Sequence, residues 1–138
     1  MKHHVFRLHR GADLLESIAG YCREKHIQAG YAACCVGCVS EAAIRSADGI
    51  TGQEYSERLE IVSLTGTVSE ARCHLHISFS REDMSVLGGH LLPGCIVNTT
   101  AEVVLCELDG LTFSKAYDED TGYNELHIEQ SLPAGRLS

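Results

Sequence analysis

Cys73-His74-Leu75-His76-Ile77-Ser78-Phe79 alternates without a break. Strand side chains change face at every residue, so Cys73, Leu75, Ile77 and Phe79 share one side and are suited to a core. His74, His76 and Ser78 share the other. A helix would scatter these residues around its axis, so the stretch reads as a half-buried strand and sets the class of the chain as mainly β. Outward from it, Leu59-Glu60-Ile61-Val62-Ser63-Leu64 reads as a strand, with Gly66 as its end or a bulge. Arg81 to Met84 is a turn. Gly88-Gly89-His90-Leu91-Leu92-Pro93-Gly94 is a glycine-rich connection, and Ile96 to Leu108 is a long β-rich run. Asp109-Gly110 is a hairpin turn, from which Leu111 to Tyr117 returns.

The first third adds the only long helix. His3 to His9 is an opening strand, broken by Gly11. Asp13 is a good N-cap with Glu16 three residues on. Leu15, Ile18, Ala19 and Cys22 then follow at helical spacing, predicting an amphipathic helix to about His26. Tyr31 to Val36 and Val39 to Arg45 read as strands on either side of Gly37. Ala47-Asp48-Gly49 is a turn, and the polar stretch Ile50 to Glu57 reads as a loop. The expected fold is α+β: a single domain over 1–138 with a largely antiparallel sheet, one long helix and shorter flanking helices. Its core covers about 5–128, and 129–138 is a flexible tail.

Composition narrows the function. At 138 residues one domain can bury a core without a disulfide or metal to hold it. No apolar stretch reaches the ~18–20 residues of a membrane span. The start, Met1-Lys2-His3-His4, lacks the apolar core of a signal peptide. Seven cysteines at scattered spacing suit a reducing compartment, so a cytoplasmic location is expected. The net charge is -8 and the arginines are dispersed, which argues against a broad phosphate-binding face.

The histidines carry the sharpest chemical signal. Two imidazoles about 7 Å apart on one strand face can share one metal ion. His90, arriving from a tight glycine loop, would complete a three-histidine site. Three nitrogens with open positions suit a zinc that binds water or substrate. The same pattern also fits polar residues on a solvated strand face. Cys34-Cys35-x-x-Cys38 resembles half a zinc site but lacks a second pair, and packing is the better reading. Gly88-Gly89 could present N–H groups to an anion, but a tight turn is favoured. Glu102, mid-strand, is a candidate general base near a metal-bound water. It could equally pair with Arg45 or Arg58, or lie at a subunit contact.

Several stretches resemble the plant and prokaryote conserved (PPC) domain, in its prokaryotic branch without an AT-hook. Arg58-Leu59-Glu60-Ile61-Val62-Ser63-Leu64-Thr65-Gly66 is similar to a segment of that domain. So are, in order and spacing, His74-x-His76, Gly88-Gly89-His90-Leu91-x-x-Gly94 and Thr100-Ala101-Glu102-Val103-Val104-Leu105. Arg10-Gly11-Ala12-Asp13-Leu14-Leu15 and Ala43-Ile44-Arg45 also fit, so the likeness runs from about residue 5 to 128. It implies a homotrimer and a metal, usually zinc, on His74, His76 and His90. It also implies DNA association, although this chain has no AT-hook arm and too few cations for one. An oligomeric scaffold without metal is the remaining alternative.

Overall fold

The computed structural model describes residues 1–131. Eight strands and one helix follow in the order β1 (Lys2–His9), α1 (Leu14–Glu24), β2 (Gly30–Arg45), β3 (Gly52–Val68), β4 (Cys73–Ser80), β5 (Val86–Leu91), β6 (Ile96–Glu107), β7 (Leu111–Asp118) and β8 (Tyr123–Gln130). The first six strands form one antiparallel sheet in the order β1-β6-β2-β3-β4-β5. A further pairing of β2 with β5, through Ile44↔Leu91 and Arg45↔His90, closes β2, β3, β4 and β5 into a ring. β7 and β8 form a separate hairpin.

The helix begins where the sequence places it. The Asp13 carboxylate accepts a hydrogen bond from the Glu16 N–H at 3.0 Å, meeting one of the orphan donors of the first turn. Its second oxygen accepts from the Gly94 N–H at 2.7 Å, which ties the helix start to the turn before β6. Leu14, Ile18 and Cys22 form the buried stripe of α1. They pack into one core with Val39, Leu59, Ile61, Leu75, Ile77, Phe79, Val103 and Leu105 from the sheet.

With β3 on one edge, β2 serves two further neighbours on the other because it is bent. Its register with β6 slips between Ala32 and Cys34, between Gly37 and Val39 and between Val39 and Glu41. Such bulges sharpen the twist of a strand. The bent strand pairs with β6 from Gly30 to Glu41 and with β5 at its last two residues. The arginine at its end thereby faces the histidine of β5.

Four expectations need correction. The shorter flanking helices are absent among the described residues: the connections between strands are short turns, which leave no room for a helical turn with its caps. Ile50 to Glu57 is not a loop. From Gly52 onward it is the start of β3, paired with Arg45 back to Glu41. On the β3 side of this ribbon Gln53, Glu54 and Ser56 are exposed and Tyr55 is only half-buried, so no apolar alternation marks it. Gly88-Gly89-His90 is not a connecting loop but the middle of β5, which pairs with β4 over Ser80 to His76. At the far end, β8 continues through Gln130, so the first two residues of the expected tail pair with Leu111 and Thr112. The rest of that expectation, 132–138, lies outside the described residues.

Candidate metal centre

His74 and His76 project together from β4, as their spacing requires, while Leu75 and Ile77 between and beyond them are buried. His90 lies directly across from His76 in the β4–β5 ladder. Close approach of the backbones makes this possible. A Cβ on Gly89 would lie 2.4 Å from the Arg45 carbonyl oxygen, and one on Gly88 2.5 Å from that of Ile77. On the other side, Gly66 (φ +141°) lies in β3 where a Cβ would lie 2.0 Å from the His74 carbonyl oxygen. Only glycine tolerates that combination of conformation and contact. Glycines on three sides thus let the strands that present the imidazoles run unusually close.

The three rings converge. Their centroids are 5.2 Å (His74–His76), 5.1 Å (His74–His90) and 5.4 Å (His76–His90) apart. One ring nitrogen from each lies within 4.8 Å of the other two. Among the described residues this is the one group of three or more His, Cys, Asp or Glu side chains that converges so tightly. His74 and His90 are half-buried and His76 is exposed.

Electrostatics favours neutral rings. Burial, and then the positive charge of Arg45, push the His90 imidazole down to about 4. Burial and then Arg72 lower that of His74 as well. At neutral pH both therefore carry the free lone pair a metal needs. His90 Nδ1 is buried and has no hydrogen-bond partner. His74 Nδ1 lies 3.2 Å from Arg72 Nη2. A guanidinium only donates, so this nitrogen accepts. A neutral imidazole bound to a metal through either nitrogen has no lone pair left for Arg72, so metal binding at His74 requires this contact to break.

The sequence reading missed the surroundings. Arg45, Arg72, Tyr123, Asn124 and Glu125 line a cleft of about 350 Å³ beside His74 and His90. Arg72 was legible in principle, because it alternates with His74 and His76. Arg45 reaches the site only through the β2–β5 register, and Tyr123 to Glu125 only through the placement of the hairpin, neither of which leaves a local pattern. Glu102 is not brought to the histidines within one chain. It is exposed on β6, opposite Arg7 of β1 and Val36 of β2. The cysteine cluster is divided: Cys35 is buried, Cys34 exposed and Cys38 half-buried, and none joins the converging group.

Residues 1–109 match the family model described as the Plants and Prokaryotes Conserved (PCC) domain. The chain belongs to that family. The bifunctional protein GlmU of a Synechococcus strain is 41% identical to this family member over 128 residues, 93% of the chain but 21% of the relative. The chain thus spans about a fifth of the length of the curated relatives it matches. Among solved structures, a hypothetical protein from Salmonella cholerae-suis is 34% identical with a TM-score of 0.91, covering 95% of both chains. A metal-containing protein from Archaeoglobus fulgidus is 32% identical with a TM-score of 0.79, covering 92% of this chain and 94% of its own. A Bacteroides thetaiotaomicron protein to which DNA binding has been ascribed is 28% identical with a TM-score of 0.80, covering 91% of both. The PCC match ends before β7, so the hairpin that supplies Tyr123, Asn124 and Glu125 lies beyond it.

Proposed function

We propose that this PCC-domain protein is a cytoplasmic homotrimer holding one divalent transition metal, zinc, on His74, His76 and His90 of each chain. The convergence of three ring nitrogens within 4.8 Å carries this reading. Tetrahedral zinc with bonds of about 2.0–2.1 Å sets its nitrogens about 3.3 Å apart, so the rings would draw in by up to about 1.5 Å around the ion. The unpartnered His90 Nδ1 and the low proton affinity of His74 and His90 suit the same role. The metal content of the Archaeoglobus relative supports it. Three imidazoles leave positions open, so the bound metal supplies Lewis acidity to a small ligand. Zinc titration against a chromophoric chelator tests the reading: one equivalent per chain is expected, lost in His74→Ala and in His90→Ala. A trimer that takes up no zinc would favour the scaffold alternative.

The outward face of the sheet supports self-association. Val5, Cys34, Val36 and Val62 are exposed and Val104 is half-buried, in a strip that crosses β1, β6, β2 and β3. Val5 is 71% exposed and Val36 57%, which suits an interface better than a solvated surface. Threefold closure would cover the strip without leaving an open end. In that assembly a neighbouring copy can bring Glu102 towards the histidines, which keeps it as the candidate base. DNA association is the second reading, supported by the Bacteroides relative. Against it, Arg58 and Arg81 are already paired with Glu82 and Glu57.

A further inference from the structure

The cleft beside the histidines holds two guanidiniums without a carboxylate partner. Arg45 stands opposite His90 in the β2–β5 register, and Arg72 stands two residues before His74. Among the described residues neither forms an ion pair, whereas Arg58 and Arg81 each hold a glutamate. Arg72 Nη1 donates to the Asn124 carbonyl at 2.9 Å and Nη2 to His74 Nδ1 at 3.2 Å. Arg45 Nε is buried and donates to nothing. A charged donor away from water without an acceptor is costly. Two like charges on one cleft of about 350 Å³ raise that cost. They also focus positive potential at one point of a chain whose net charge is -8.

We infer that this cleft binds the carboxylate group of a small organic acid between Arg45 and Arg72, beside the three imidazoles. The planar two-oxygen carboxylate matches the guanidinium fork. Glu125 lines the same cleft, and its charge penalises a dianion such as phosphate more than a monoanion. The cleft has the volume of a small-molecule site. The inference rests on the proposed metal site in one respect. A metal on His74 displaces Arg72 Nη2 from Nδ1 and frees that donor for the anion, so metal and carboxylate reinforce each other. The guanidinium pair itself is independent of the metal.

The experiment is an NMR titration of the Arg Nε–H resonances with sodium acetate and, separately, with sodium phosphate, in metal-free and zinc-treated protein. Saturable shifts of the Arg45 and Arg72 signals with acetate are expected in both forms. Acetate should bind at least tenfold more tightly once zinc is bound, and phosphate at least fivefold more weakly than acetate. Arg72→Met should weaken acetate at least tenfold, and Arg45→Met likewise if it keeps a dispersed amide spectrum. Absence of saturable shifts at either arginine, or phosphate binding as tight as acetate, overturns the inference. Acetate binding in a protein that takes up no zinc would leave the carboxylate site standing and sink the metal reading. Zinc binding without acetate shifts would do the reverse.

Discussion

Gly89→Ala should open the ring of strands at its narrowest seam and loosen the histidine cluster with it. The added Cβ would stand 2.4 Å from the Arg45 carbonyl oxygen, where real contacts stay above 3.0 Å, so β5 and β2 must part by at least about 0.6 Å. The β2–β5 seam is only two residue pairs long, Ile44↔Leu91 and Arg45↔His90. On its other side β5 is held to β4 by five pairs, so the seam with β2 yields. Overfilling a packed region costs about 1–3 kcal/mol. A disturbed backbone hydrogen bond adds about 1 kcal/mol. A total of about 2–4 kcal/mol corresponds to roughly 6–12 °C in Tm for a chain of this size. His90 adjoins the substitution, and metal ligands tolerate displacements of only about 0.2 Å. Zinc affinity should therefore fall roughly 10- to 100-fold. Thermal unfolding followed by circular dichroism gives the first number and chelator competition the second. Gly20→Ala is the control: its Cβ would meet nothing nearer than Arg23 Nη2 at 3.9 Å, so it should stabilise α1 by about 0.5–1 kcal/mol. Gly89→Ala with unchanged Tm and zinc affinity within twofold of the parent would refute the close-approach argument.

The depressed proton affinity of His90 predicts acid sensitivity of the metal-free protein. The folded ring titrates near 4 and the unfolded ring near 6.5, so as pH falls the unfolded chain takes up the proton first. The contribution is intact above about pH 6.5, declines between 6.5 and 4, and is lost below. Allowing for solvent screening of a half-buried ring, it is on the order of 1–2 kcal/mol. Urea unfolding at pH 7.5 and 4.5 should show that difference shrinking in His90→Asn; an equal difference in both proteins would contradict it. Val36→Asp with Val62→Asp should convert a particle of three chain masses into single chains in light scattering at low micromolar concentration. A parent protein already at one chain mass would remove the trimer. Duplex DNA should bind weakly or not at all at about 150 mM salt; sub-micromolar binding that weakens with added salt would revive the DNA reading.

Much of the fold was legible because burial is one-sided. β4 could be read residue by residue, since Leu75, Ile77 and Phe79 face a core and His74 and His76 do not. The start of α1 was legible from Asp13 and Glu16, whose chemistry is local. β5 was misread because a glycine pair carries two meanings, a turn or a close approach, and the sequence alone does not separate them. The first residues of β3 were misread because Gln53, Glu54 and Ser56 are exposed, so burial imposes no period on them. The three histidines could be nominated from spacing. Arg45 of the cleft could not, because it reaches His90 through a bent strand and a long-range register.

The central claim is that His74, His76 and His90 hold a metal. An anomalous difference map collected above the zinc edge, from crystals of untagged protein grown with equimolar zinc, tests it most directly. The account predicts one peak per chain, about 2.0–2.1 Å from one ring nitrogen of each of the three histidines. A map with no peak at these residues, or with the metal held elsewhere, would contradict it.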